Sequence, residues 1–343
     1  MRVYNKVKTL RLRSILVVVA SVLTLLLGQL GGYASAATSK TVTPNPINNN
    51  ANSLKISPLR TDVTLQPGTS GKVQTFVTNV TKATIVLKPI ENDFISGDEK
   101  GTPSLILDEN SYAPSHSLKR FMVPLQDVTI PAGATQEVDV TITVPQTAQA
   151  GGYYGAIRFA PAGTAAGTVA LSSSVASLIF LTVPGPTVEQ LTLTNFDVQQ
   201  NGGTASNFRT PTDLGLFIRF QNKGNIQEAP FGQINVQKGK KIVYTTNFNQ
   251  VDPRNEVLPD SARRWTIPLK NLGKFGKYTI SATFGYGSKG QTINIQKTVW
   301  IIPTMYILIG VGGLLLLILI VVGTYLFLRS YKRKILRSSR RRY

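Results

Sequence analysis

From Leu54 to Trp300 the chain repeats one pattern, short runs of alternating apolar and polar residues closed by Gly, Pro or Asn. LKISP, KVQTFVTNV, TIVLKPI, KRFMVPL, QEVDVTITVP, YYGAIRFA and SSVASLIFLTVPG predict strands in the first half. VEQLTLTNFDV, DLGLFIRFQN, FGQINVQ, KKIVYTT, RRWTIPL, KYTISATFGYG and TINIQKTVW predict strands in the second. A period of two puts alternate side chains on opposite faces of a sheet. No stretch of this region shows a helical period. The pattern predicts an all-β chain of two tandem Ig-like β-sandwich domains. LQPGTSGKVQTF and IPAGATQEVDV each set Pro and Gly before an alternating run, which reads as a tight turn feeding a strand. Two prolines around a glycine in VPGPT cannot continue a sheet interior, so a linker is expected at 184–187. That places the first sandwich at 54–183 and the second at 188–300.

The alternation stops at both ends. Between Thr298 and Leu328 there is no charged residue, and Met305 to Leu328 is almost wholly apolar. About 20 such residues cross the hydrocarbon core of a bilayer, so a transmembrane helix is expected at 301–328. Trp300 and Tyr306 flank one side, with Tyr325, Phe327 and Tyr331 on the other, in the manner of interfacial aromatic belts. At the start, Arg2, Lys6, Lys8, Arg11 and Arg13 precede an uncharged run and the small-residue triplet Ala34-Ser35-Ala36. This order predicts a signal peptide at 1–36, followed by a polar leader at 37–53.

These ends change the meaning of the charge. The formal net charge of +20 suggests nucleic acid at first sight. Five of the positive charges sit in the signal peptide, and eight in the tail 329–343, which has no acid. By the positive-inside rule that tail is cytoplasmic, and 37–300 lies outside the membrane as a mildly basic ectodomain. Nucleic acid is therefore not an expected partner. The chain has no cysteine, which points to a bacterial surface protein that is stable without disulfides.

The inventory for catalysis is thin. His116 is the only histidine, and no Gly-x-Ser-x-Gly elbow accompanies it. Thiol chemistry and cysteine- or histidine-rich zinc sites lack their residues. The chain is expected not to be an enzyme and to need no cofactor. Six acids, Glu91, Asp93, Asp98, Glu99, Asp108 and Glu109, cluster in ENDFISGDEKGTPSLILDEN. Their spacing matches no EF-hand, and a solvated loop is expected there. GYGSKG (285–290) has the letters of a dinucleotide fingerprint, but a strand pattern follows it, so it reads as a hairpin turn. LPDSA (258–262) lacks the threonine of a sorting signal.

Four segments carry a family likeness: LKISPLRTDVTLQPG, VTIPAGATQEVDVTITVPQTAQAGGYYGAIRF, FQNKGNIQEAPFGQINV and LPDSARRWTIPLKNLGKFGKYTISATFGYG. With the two ends, they make the chain resemble bacterial WxL-interacting surface proteins. The resemblance implies a peptidoglycan-binding first sandwich, a host-binding second one and a C-terminal membrane helix with a basic tail. It implies non-covalent attachment to cell-wall peptidoglycan or to a surface or host protein. The alternative is a structural or assembly subunit whose partner is another membrane protein. Within AGGYYGAIRF (150–159), Tyr153, Tyr154 and Arg158 are the candidate ligand contacts. Alternation puts the two tyrosines on opposite faces. Gly151 and Gly152 are expected to turn the chain into the strand, and Gly155 to allow a neighbour to approach.

Overall fold

The computed structural model describes residues 53–162 and 174–339, with side chains as far as Tyr331. The signal-peptide region, nearly all of the leader and the end of the basic tail lie outside the described residues. Among the described residues the chain is mostly β, with one α-helix, at the C-terminal end.

The first half contains β1 (Leu54–Ser57), β2 (Arg60–Thr64), β3 (Ser70–Asn79), β4 (Ile85–Ser96), β5 (Pro103–Leu105), β6 (Val128–Ile130), β7 (Thr135–Thr143), β8 (Gly151–Pro161) and β9 (Val175–Val183). The second contains β10 (Leu191–Gln200), β11 (Gly203–Thr204), β12 (Asn207–Phe208), β13 (Leu214–Asn222), β14 (Phe231–Lys238), β15 (Lys241–Phe248), β16 (Ala262–Pro268), β17 (Gly276–Tyr286) and β18 (Gln291–Ile301). Helix α1 (Thr304–Ser339) follows after two residues.

The strands form four sheets in two pairs. In the N-terminal pair, β1-β3-β7 faces β2-β9-β8-β4-β5, with β6 also on β4. In the C-terminal pair, β11-β10-β13-β16 faces β12-β18-β17-β14-β15. The two pairs repeat one another. Each has an antiparallel trio (β1-β3-β7, β10-β13-β16) and an edge strand that joins the opposing sheet in parallel, β2 on β9 and β12 on β18. Each pair closes on its own apolar cluster. Val77, Leu87, Ile142, Phe159 and Leu181 belong to the first. Phe220, Phe248, Phe284 and Trp265 meet edge-on or tilted in the second, with Phe248 and Phe284 centroids 5.0 Å apart. Such offset contacts favour the ring quadrupoles.

A buried asparagine ends the central strand of each trio. Asn79 Nδ2 donates to the carbonyls of Ala83 (2.7 Å), Ile130 (3.0 Å) and Pro131 (3.1 Å), and Asn79 Oδ1 accepts the Thr81 N–H. Asn222 Nδ2 donates to Ile226 O (2.7 Å) and Val257 O (2.9 Å), while its Oδ1 accepts the Gly224 N–H. One amide thus fastens the turn after its own strand to a distant segment, satisfying backbone groups that burial would otherwise leave unpaired.

Three expectations need correction. KRFMVPL is not a strand. Lys119–Phe121 forms a single 3-10 turn, and only Met122 bridges to Ile142. The cause is Asp93, whose carboxylate accepts the N–H groups of Ala113 and Lys119 and the Ser117 hydroxyl, taking donors that a sheet would have used. Glu91, Asn92 and Asp93 are not in a loop, because β4 runs through them to Ser96. Gly151 and Gly152 do not precede β8 but begin it. GYGSKG behaves as expected, since it turns β17 into β18 with Gly287 and Gly290 at positive φ.

Candidate functional site

The stretch AGGYYGAIRF lies where the two sheet pairs meet. The Gly152 N–H donates to Asn225 O (2.8 Å), and Asn225 Nδ2 donates back to Ala150 O (2.8 Å). Asn225 Oδ1 also accepts the Val188 N–H at 2.7 Å. The glycines permit this approach. Gly151 has φ of 147°, and a Cβ there would lie 2.6 Å from Asn225 O. A Cβ on Gly152 would collide with the Tyr154 hydroxyl. Gly155 sits under Leu118, as a neighbour-admitting glycine should.

The three candidate contacts are not brought together. Tyr153 turns inward against Phe121, centroids 4.8 Å apart, and its hydroxyl donates to Gln149 O. Tyr154 is on the opposite face, as alternation requires, but only 3% exposed. Its ring packs with Phe94 and Phe180, and its hydroxyl donates to Gln227 Oε1 at 2.8 Å. Burial, with the Glu256 charge nearby, holds this phenol well above its ordinary pKa. Tyr154 is therefore a clamp between the sheet pairs and not a contact for a ligand arriving from solvent. Arg158, half-buried, donates to Asn92 Oδ1 at 3.0 Å.

The residues that do converge come from elsewhere. Arg60 on β2 bonds Asp62, reaches Glu256 Oε2 at 2.8 Å, and lies 3.7 Å over the Phe180 ring. Burial lowers the pKa of this guanidinium, but the Asp62 and Glu256 carboxylates more than reverse that. Glu99 receives a forked pair of bonds from Arg219 on β13, and its carbonyl accepts the Arg264 N–H at 2.7 Å. Arg219 accordingly holds the Glu99 carboxyl below its usual range. The other members of the acidic stretch go to separate donors: Asp98 to Lys100 and Thr102, Asp108 to Asn110 and Ser111, and Glu109 to Lys88. They face no common point.

Two adjoining cavities open at this junction. One, of about 190 Å³, has an apolar floor of Phe94, Leu178 and Phe180 and a rim of Arg60, Arg254 and Arg263. The other, of about 210 Å³, lies between Pro114, His116, Tyr154 and Pro259. Phe94 and Leu258 border both. Arg254 is exposed and stacks on Phe231 at 3.9 Å. Arg263 donates to Glu256 O and Asn255 Oδ1.

Ser115, His116 and Asp260 meet beside the second cavity, but in the wrong order for acyl transfer. The Ser115 hydroxyl donates to Asp260 Oδ2 at 3.0 Å, while His116 Nδ1 bonds Gly152 O at 2.7 Å. His116 Nε2 is 4.0 Å from the same Asp260 oxygen. A triad needs the imidazole between serine and acid. Here the serine proton is directed to the carboxylate, and the imidazole does not face the hydroxyl.

Glu228 is a buried acid near the junction. It is 3% exposed, and its Oε1 has no hydrogen-bond partner. Burial, together with the charges of Glu189 and Glu256, pushes its carboxyl up to about 7. Arg60, Gln227, Glu228 and Glu256 carry no local sign in the sequence. NKGNIQE reads as a turn, and its contacts with 150–154 span some seventy positions.

α1 holds one candidate membrane span, Thr304–Tyr331, 28 residues, uncharged as far as Leu328. At 1.5 Å per residue this is about 42 Å, long enough to cross a membrane.

No protein-family model matches this chain, and no curated protein matches it. Among solved structures it is similar to a chain of a chaperone–tip adhesin complex of CFA/I fimbriae biogenesis, at 15% identity over 71% of this chain and 98% of that one, TM-score 0.38. It is similar to the class 5 fimbriae chaperone CfaA, at 14% identity over 72% of this chain and 98% of that one, TM-score 0.37. A third is the E. coli chaperone DraB, at 14% identity over 72% and 97%, TM-score 0.32. At this degree of superposition the function must come from the chain's own residues.

Proposed function

We propose that this chain is a membrane-anchored bacterial cell-surface binding protein, with two tandem Ig-like sandwiches outside the membrane and a short basic tail inside. It attaches non-covalently to cell-wall peptidoglycan or to a surface or host protein, and catalyses no reaction. The resemblance to WxL-interacting surface proteins motivates the wall ligand. The observation that carries the reading is the arginine-rimmed, aromatic-floored pair of cavities at the junction. Peptidoglycan stem peptides carry both carboxylates and apolar side chains, and such a cleft offers a partner to each.

The architecture suits a surface reader. The junction binds one end of β18 through Ser288 and Gln291, which contact Glu189, while α1 leaves from the other end. β18 has 11 residues, so its two ends stand about 35 Å apart.

An assembly subunit with another membrane protein as partner is the second reading. A Cβ added to Gly310, Gly312, Gly313 or Gly323 of α1 would meet nothing within 4 Å beyond the helix itself, and small residues admit close helix packing. Detergent-solubilised full-length protein, incubated with isolated cell wall and with membrane extract, separates the two. Retention on wall material supports the wall-binding reading. Retention by a membrane protein alone, with none on wall or surface protein, supports the assembly reading and sinks the first.

A further inference from the structure

The end of the C-terminal sheet pair from which α1 departs has a composition unlike the rest. After Asp260 the chain contains no Asp or Glu. At this end the loop after β16 brings Lys270 and Lys274, and the start of β17 brings Lys277, all exposed. Lys238 from β14 joins them, its Nζ donating to Phe275 O at 2.8 Å. Arg209 follows β12, whose Phe208 carbonyl accepts the Ile302 N–H one residue before Pro303. Asp213 is the one acid among these loops, and Asp197, farther up, is occupied by Lys297 at 2.6 Å.

Aromatic side chains share the surface. Phe275 is 47% exposed, Trp300 41% and Tyr306 55%. The Phe275 ring meets Tyr306, in the first turn of α1, at a centroid distance of 5.0 Å. Trp300 stands opposite Lys277 in the β17–β18 register. If Tyr306 enters the interface as the first aromatic of a spanning helix, the 270–277 loop is held at headgroup depth. Rings with lysines beside them are the side chains that the interface favours.

We propose that this end of the protein is a lipid-docking face, which binds anionic phospholipid headgroups of the membrane that α1 crosses. Docking fixes the angle of the ectodomain on the bilayer, so that the junction cleft is held away from the membrane and does not swing about a free tether. The proposal rests on the membrane-anchored reading above. It adds a lipid specificity that the helix alone does not supply, because a juxtamembrane cluster of basic residues responds to surface charge and falls off within a Debye length.

The chain lacks cysteine, so a bimane label on Ser206→Cys reports this face alone. The full chain is placed in nanodiscs of phosphatidylcholine, with or without phosphatidylglycerol, each carrying a nitroxide headgroup lipid. Quenching should rise about twofold or more with the anionic lipid and fall again in about 0.5 M salt. Lys270→Gln/Lys274→Gln/Lys277→Gln should abolish the rise while leaving the chain in the disc. Equal quenching in both lipids, or a triple variant quenched like the parent, overturns the proposal. So does an equal rise in neutral discs on adding soluble polyphosphate, which would make the face a polymer site. Extraction by alkaline carbonate is scored separately. A chain that washes out contradicts the anchored reading itself, whereas one that stays in without lipid-dependent quenching contradicts only the docking face.

Discussion

The Tyr154 hydroxyl, on β8, donates to Gln227 Oε1 at 2.8 Å, so a residue of the N-terminal sheet pair is bonded to the segment that introduces β14. Together with the exchange between Gly152 and Asn225, this makes the junction a built contact and not a flexible hinge. Removing one partner of a buried hydrogen bond costs about 1–2 kcal/mol. Tyr154→Phe should lower the unfolding free energy by that amount with the ring packing kept. Gly152→Ala should cost more, since its Cβ collides with both the Tyr154 hydroxyl and the Gln227 side chain. Chemical denaturation of both variants checks the order. A Tyr154→Phe protein as stable as the parent would refute the clamp.

Asn79 and Asn222 perform the same task in the two sheet pairs. Each is fully buried and serves at least two backbone carbonyls, so replacement by alanine should cost about 2–3 kcal/mol. The two losses should be additive within error, because the residues sit in separate clusters. Thermal unfolding of both single variants and the double variant measures this.

Strand alternation revealed most of the fold, and for a plain reason. Each of the seven strands expected in the second half has a half-buried face, so burial imprints a period of two on the sequence. β2, β5 and β6 were missed because they are short edge strands, with little burial to imprint. KRFMVPL misled because its apolar residues pack inward from a turn held by Asp93, a partner more than twenty positions away. The candidate site was barely legible. AGGYYGAIRF reaches the junction, but its tyrosines support the contact there, and the cleft itself is made by Arg60, Arg254 and Leu258, which carry no local signature. The repeat of Asn79 and Asn222 was hidden for a similar reason, since NVTKA and NKGNI share only the asparagine, the lysine and a turn.

Glu228 should make stability depend on pH. Its folded-state carboxyl titrates at about 7, against an ordinary value of 4.5. The folded state therefore holds the proton more tightly than the unfolded state. Stability is greatest below about pH 4.5 as far as this group is concerned, falls as pH rises towards 7, and stays reduced above it. The fall amounts to roughly 3 kcal/mol. Glu228→Gln removes it, so the variant should be more stable than the parent at pH 8 and nearly equal at pH 4. Unfolding midpoints across that range check the sign. A variant less stable at pH 8 would mean that the carboxylate is needed in its charged form.

The Glu99–Arg219 fork joins the acidic stretch to β13, but both side chains are partly exposed, at 38% and 26%. Pairs of this kind contribute up to about 1 kcal/mol and are screened by salt. Glu99→Gln should thus cost less than Tyr154→Phe, and the difference from the parent should shrink in high salt. A double-mutant cycle with Arg219→Gln gives the coupling directly.

The central claim is that the arginine-rimmed cleft at the junction is where the ectodomain holds its ligand. Photo-crosslinking from inside the cleft tests this most directly. A benzophenone amino acid replaces Leu258, which borders both cavities, or Thr292, exposed on β18 and away from them. Full-length protein carrying each is irradiated on isolated cell wall. The account predicts wall adducts from position 258, their loss when Arg254→Glu is added, and none from 292. Equal adducts from both positions, or adducts from 258 that survive Arg254→Glu, would contradict it.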